Sequence, residues 1–577
     1  MVVPLWLQPL SLLVLTSHEI RSSSSGSSSG GGGGISNGGC GAAAAAGWWG
    51  ALVRHNGTRA SFEQLLNDGG QRQLVSEPRP RLMRSAQAAR LMAAGLFVPA
   101  WLAEHGGGEI WNRTRYSSGR FFGLARPSNK RFADRRGAHD GSGLAAALQP
   151  EAFADLTPVA FFQGAAARRY AYFTSPLSML APALLDVVDQ QHFALSEDLE
   201  QPPTLEYSGG PLMRLSSHGS TCQCHWDSKH NIFVQLHGHK RFRLWPTEAL
   251  PLLYLYPSSH ASYPKSMLNF DSRGGKQGAQ VAAALSASVL VDLAPGDVLY
   301  IPPLTPHHVE CLGDSDDGGG GSDDNSGGYC VGFNVFSTGA FSTIIGDIQG
   351  VLARSPLAWL QALTPPELLS PPPRSATAGD GDYNNVERLR QRRQAFTFSL
   401  LQYELRELTD RLGLSLSVIT RGLLQRAWGP LKAEGAPEAT HWVVPSPNDV
   451  DAQFIDVVTQ AQFVPRLCSG SGSGWLHPQL EVVFGDERGV LKALSRTASY
   501  EVELAQKLEQ LESYFRQLHS ADDSSSINEE EGRQTAVEAA GAAAMVAILQ
   551  EVVEGQVIAA VGLEAAYAFA AACLLVQ

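Results

Sequence analysis

The sequence predicts a mainly β domain, preceded by a disordered N-terminus and followed by an α-helical C-terminal region. Three observations carry this. Residues 150–310 are short apolar and aromatic runs broken by Pro and Gly, as in NIFVQLHGHKRFRLWP and SVLVDLAPGDVLYIPP, the texture of strands joined by turns. From 386 onward, VERLRQRRQAFTFSLLQYELRELTDRL sets Leu389, Phe396, Leu400, Leu401, Leu405 and Leu408 near i, i+3, i+4 spacings, a helical period. Residues 20–50 are Ser, Gly and Ala tracts, which bury too little apolar surface to order themselves.

The organisation follows in chain order. Residues 1–75 form the low-complexity, disordered start. Its apolar run, MVVPLWLQPLSLLVLTSHEI, has no basic n-region and reads as a loose terminus rather than a signal peptide. Residues 76–363 form the β-dominated domain. Within it, the acidic insertion DSDDGGGGSDDNSGG at 314–328 belongs in a surface loop between two strands, where added length costs little entropy. A Pro-rich linker covers 364–385, a helical region 386–525 and an Ala-rich tail 526–577. The stretch 555–577 carries Glu564 alone as a charge. It is long enough to span a bilayer, but alanine is weakly hydrophobic and no basic flank anchors it. A packed or frayed Ala-rich helix is expected there, and no membrane.

The length of 577 residues implies more than one structural unit. A net charge of −12 argues against a general nucleic-acid coat protein. The basic run NRTRYSSGRFFGLARPSNKRFADRR at 112–136 offers an RNA or acidic-protein contact, but it reads first as a solvated loop. Seven scattered cysteines suit a reducing compartment better than a disulfide framework, so a cytoplasmic or nuclear location is expected.

Chemistry concentrates in CQCHWDSKHNIFVQLHGHK, residues 222–240. His225 and Asp227 are two apart, and side chains two apart on a strand share a face. An imidazole and a carboxylate so placed are two parts of a 2-His-1-carboxylate iron site. PGDVLYIPPLTPHHVEC at 295–311 is a turn, a strand and then His307 and His308. Neighbours face opposite ways, so one of that pair is the third ligand. His237-Gly238 reads as a hairpin between two strands. After it Lys240, Phe242 and Leu244 share the inward face, while Arg241, Arg243 and Trp245 share the other. An inward lysine needs an anionic partner. Cys222, Cys224 and His225 do not make a zinc site, because C-x-C-H lacks a second ligand pair. His230, His237 and His239 read as hairpin surface residues, and His218 and His260 as loop residues.

Together, SSHGSTCQCHWDSKHNIFVQLHGHKRFRLWP, LYLYPSSHASYPKSMLNFD, LAPGDVLYIPP with PHHVE, and GFNVF resemble the JmjC-type, cupin-like 2-oxoglutarate oxygenases. The resemblance covers about 155–340. It is nearest the branch holding the asparaginyl hydroxylase that inhibits hypoxia-inducible factor and the wybutosine tRNA hydroxylase. It implies a double-stranded β-helix, the jelly-roll or cupin fold, in 76–363. It implies Fe(II) held by His225, Asp227 and His307, with 2-oxoglutarate and O2 as cosubstrates. Lys240 is implied to pair with the distal carboxylate. Tyr172, Thr221, Asn231 and Asn334 are implied contacts to the cosubstrate or the metal shell. Two positions depart from the family pattern. Cys222 stands where a hydroxyl often helps bind the cosubstrate, and Pro306 where an aromatic residue is common.

The expected activity is hydroxylation of a protein side chain, with a homodimer through the C-terminal helices. A tRNA base is the second substrate class. The rival from another class is a non-catalytic cupin that binds without turnover.

Overall fold

The computed structural model describes residues 60–354 except 67–73, 75–78, 106–110, 118–120, 123–151, 165–169, 197–202, 206–209, 257–263, 272–277, 314–327 and 353; beyond them it describes 401, 405–406, 408–409, 415–428, 499–500, 502–514, 545–546, 548–558, 570 and 574. Its strands are β1 (Ala60–Ser61), β2 (Arg81–Arg84), β3 (Trp111–Ser117), β4 (Phe121–Phe122), β5 (Ala152–Leu156), β6 (Tyr170–Pro176) and β7 (Leu212–Ser217). There follow β8 (Thr221–His225), β9 (His230–His237), β10 (His239–Leu244), β11 (Val289–Leu293), β12 (Asp297–Ile301), β13 (His307–Gly313) and β14 (Tyr329–Ser337).

They make a nine-stranded sheet, ordered β1-β2-β12-β9-β14-β7-β6-β3-β5, and a five-stranded sheet, ordered β11-β10-β13-β8-β4. From β7 to β14 the chain divides evenly. β7, β9, β12 and β14 are neighbours in the larger sheet, and β8, β10, β11 and β13 in the smaller. All pairings within each set are antiparallel. Two facing four-stranded sheets visited in this order are the cupin jelly roll that the sequence predicts.

One turn is not what the sequence suggests. β9 and β10 lie in different sheets, so His237-Gly238 is a corner and not a hairpin. Gly238 has φ +66°, and a Cβ there would sit 2.0 Å from the Tyr329 carbonyl oxygen. Only glycine meets both demands. Two alternating runs around a glycine look alike whether the second strand folds back or crosses over.

β9 is buried along nearly its whole length. Ile232, Val234 and Leu236 pack outward against the N-terminal helices, while Phe233 packs inward against Phe242 and Leu244. This corrects the surface reading of His230, which is buried with Nδ1 2.9 Å from the Tyr300 hydroxyl. Trp245 is also misplaced by strand alternation. It lies past the end of β10, is fully buried, and donates from Nε1 to Ala284 O at 2.6 Å under helix Gly278–Ser286. Arg241 does face out, paired to Asp292 at 2.8 Å.

Order begins earlier than the low-complexity reading of 1–75 implies. β1 pairs in parallel with β2, and Phe62 is fully buried. Glu63 docks the segment by accepting from Ser85 Oγ at 2.6 Å and Gln87 N at 3.3 Å. The basic run is not simply a loop, since its first residues lie in β3, between β5 and β6. Residues 123–136 of that run, the linker 364–385 and His260 lie outside the described residues.

The cysteine reading is corrected too. Cys311 and Cys330 form a disulfide that ties β13 to β14 across the acidic insertion. Spacing did not reveal the pair because the partners sit in different sheets on either side of that insertion.

The C-terminal region completes a shared core. Leu401, Leu405 and Leu408, helix Leu416–Trp428, helix 502–514 and tail helix 548–558 join one apolar cluster with Trp226, Trp245 and Phe341 of the β domain. Ile548, Leu549, Val552 and Val553 of the tail are fully buried there. Among the described residues no helix is long and apolar enough to cross a membrane.

Candidate active site

β8 and β13 are neighbours, and their register sets His307 opposite His225. Their rings lie 4.4 Å apart by centroid. Asp227 leaves the end of β8 and is fixed from below, because its carbonyl oxygen accepts from Leu304 N at 2.8 Å. The turn that carries His307 therefore also holds the Asp227 loop. His307 Nε2 lies 3.6 Å from Asp227 Oδ2. One donor atom from each of His225, Asp227 and His307 lies within 4.8 Å of the others. Among the described residues this is the one such cluster of three.

The tautomers suit a metal. His225 Nδ1 is 2.8 Å from Gln223 O, and His307 Nδ1 is 2.9 Å from Thr305 O. A carbonyl only accepts, so each Nδ1 carries the proton and each Nε2 presents a lone pair. Burial pushes both imidazoles down to about 4, which keeps them neutral near pH 7. Burial opposes the charge of Asp227. His307, His225 and Arg214 together outweigh it and hold the carboxyl below its ordinary value. With the imidazoles neutral, Arg214 and the Asn231 amide, 3.1 Å from Oδ2, carry that task. His308 points the other way, edge-on to Phe270 at 5.4 Å. Two imidazoles and a carboxylate converging from one side fit a divalent first-row metal such as Fe(II).

The three residues face a cavity between the sheets. Tyr172, Asn231, Lys240 and Asn334 also line it. Asn334 Nδ2 donates to Asn231 Oδ1 at 2.7 Å, and Asn231 Nδ2 to Asp227. Lys240 is 3% exposed, with Nζ 4.9 Å from the Phe233 ring centroid. Burial first, then Arg214, pushes its ammonium down to about 7. It makes no hydrogen bond among the described residues.

Thr221 is a correction. It is buried, its hydroxyl donates to Gly219 O at 3.3 Å, and Cys222 lines the cavity in its place. The cause is a bulge. Between His225 and Cys222 β8 runs three residues against two on β13, so Cys222 and His225 share the inward face and Thr221 does not. Cys224 is buried in the apolar core.

Sequence reasoning missed Arg214. It lies in the middle of β7, alternates with Ser216, and faces the cavity. The available signal was an arginine inside PLMRLSS, where alternation separates it from Met213 and Leu215.

Residues 164–338 match the family model described as a cupin-like domain.

Proposed function

We propose that this cupin-like domain is an Fe(II)- and 2-oxoglutarate-dependent dioxygenase that hydroxylates a protein side chain. The observation that carries the reading is a single cavity holding both the His225–Asp227–His307 cluster and the buried Lys240, which makes no hydrogen bond among the described residues. The first is a 2-His-1-carboxylate donor set. The second is a buried cation that calls for an anionic ligand. The motifs named above support the branch of the asparaginyl and wybutosine hydroxylases.

Iron, when bound, supplies chelation of the 2-oxo acid end and activation of O2. Overall, 2-oxoglutarate, O2 and a C–H bond give succinate, CO2 and an alcohol, with one oxygen atom entering succinate and the other the alcohol. The chain supplies geometry. His225 and His307 present neutral Nε2 atoms, Asp227 presents its charge, and Lys240 orients the distal carboxylate. Phe233, Phe242 and Val309 line the same cavity and keep water from it. A protein substrate is favoured over tRNA by the net charge of −12.

The test is 2-oxoglutarate-dependent release of CO2 by the iron-loaded chain, with and without candidate peptides. Wild-type turnover abolished by Asp227→Ala supports the reading. Undiminished turnover in Asp227→Ala contradicts it. Folded, iron-binding protein with no turnover on any substrate favours a non-catalytic cupin.

A further inference from the structure

The turn Pro302-Pro303-Leu304-Thr305 breaks a rule of turn chemistry beside the metal cluster. Thr305 N donates to Pro302 O at 3.3 Å, closing a four-residue turn with proline at its second position. Its third residue, Leu304, has φ +62°. These are the marks of a type II turn, whose third position favours glycine. A bulky side chain at positive φ is strained and persists only where its surroundings hold it. Here the core holds it. The Leu304 side chain is 2% exposed, within the apolar cluster that also contains Trp226 and Phe341.

The strained residue meets two of the three metal ligands through the backbone. Leu304 N donates to Asp227 O at 2.8 Å, and the next carbonyl, Thr305 O, accepts from His307 Nδ1 at 2.9 Å. Rings lock φ at Pro302, Pro303 and Pro306, and Pro306 restricts Thr305 before it. Leu304 is therefore the one residue of PPLTP whose backbone is set by packing and not by a proline. Rotating it would swing its N–H away from Asp227 and shift Thr305 O beside His307.

We propose that Leu304 is a positioning residue for the metal cluster. Burial of its side chain holds the turn at positive φ, and the turn fixes Asp227 and His307 at ligand spacing. The inference rests on the metal-centre part of the reading above and needs neither 2-oxoglutarate nor turnover. It also gives the C-terminal helices a part in the site, because they contribute to the cluster that grips Leu304.

The test titrates the full chain with Co(II), whose visible d–d bands report coordination geometry, and reads stability separately by chemical denaturation. Leu304→Met keeps the buried volume, so its bands should match wild type and its affinity should stay within about threefold. Leu304→Ala removes the grip and lets the turn relax to negative φ. Its bands should shift, and Co(II) affinity should fall about tenfold, as when groups that orient metal ligands are lost. Leu304→Gly removes still more of the side chain, yet glycine adopts positive φ without strain. Its bands and affinity should lie nearer to wild type than those of Leu304→Ala. A role in packing alone predicts the opposite order. Leu180→Ala, in the separate N-terminal cluster, supplies a loss of stability remote from the turn and should leave the bands unchanged. Wild-type bands in Leu304→Ala, or Leu304→Gly farther from wild type than Leu304→Ala, overturn the inference while the metal site stands. So do shifted bands in Leu180→Ala, since the bands would then follow stability alone. If Leu304→Ala does not fold, shifted bands in either Leu304→Met or Leu304→Gly overturn it. Wild type that binds no Co(II) sinks the metal-centre reading, and the inference with it.

Discussion

Lys240 carries a proton in this buried cavity only at a cost. Burial and the Arg214 guanidinium of β7 lower its ammonium to about 7, and Cys222 of β8 offsets this only in part. An anionic ligand restores the higher value. Below pH 7 the lysine is charged with or without ligand, so 2-oxoglutarate affinity should be flat there. Above pH 7 binding must also recruit a proton, so affinity should fall as pH rises, by up to about tenfold per unit. Calorimetry at pH 8 in two buffers of different ionisation enthalpy should register net proton uptake, and none would contradict this account. Lys240 was legible from sequence because alternation puts it on one face with Phe242 and Leu244. His225 and Asp227 were legible from their spacing, whereas spacing left His307 and His308 both open and only the family resemblance picked His307. Arg214 was not, because no motif marks an arginine inside a strand, and its partners Tyr172, Thr174 and Asn334 come from distant parts of the chain. Thr221 was misread because a bulge changes which residue faces inward, and a bulge leaves no trace in composition.

Among elements, the β9–β10 corner and the β13–β14 tie decide how the two sheets enclose the cavity. Gly238→Ala would set a Cβ 2.0 Å from the Tyr329 carbonyl at φ +66°. It should lower unfolding free energy by about 3 kcal/mol, combining strained φ with a backbone clash. Chemical denaturation checks this, and a loss near zero would mean the corner relaxes freely. The Cys311–Cys330 disulfide closes a loop with a sequence separation of 19. The chain-entropy relation gives it about 3 kcal/mol. Cys311→Ser with Cys330→Ser should lower stability by that order in non-reducing buffer and make it insensitive to dithiothreitol. Unchanged stability would show that β13 and β14 are held by their sheets alone. The strands themselves were legible, since alternation and turn residues mark most of them. Their partners were not, because β7 to β14 divide between two sheets and pairing depends on contacts remote in sequence.

For the whole molecule, the β domain and the C-terminal helices share one core. Leu549 of the tail is fully buried in the cluster that holds Trp226, next to Asp227, and Trp245. Leu549→Ala should cost about 3 kcal/mol. Because the core is shared, it should also lower the melting temperature reported by the β-domain tryptophans. A shift confined to helical circular dichroism would mean that the two regions unfold independently. The helical period of the C-terminal half was legible, but its attachment to the β domain was not, since an Ala-rich helix advertises neither its partner nor its depth. The central claim is that this cavity assembles a metal and a 2-oxo acid together. The most direct measurement is an anaerobic titration of metal-free protein with Fe(II) and then 2-oxoglutarate, reading the weak visible charge-transfer band of a chelated keto acid, with Asp227→Ala alongside. The account predicts a band in wild type and none in the variant. Folded wild-type protein without a band, or an equal band in Asp227→Ala, would contradict it.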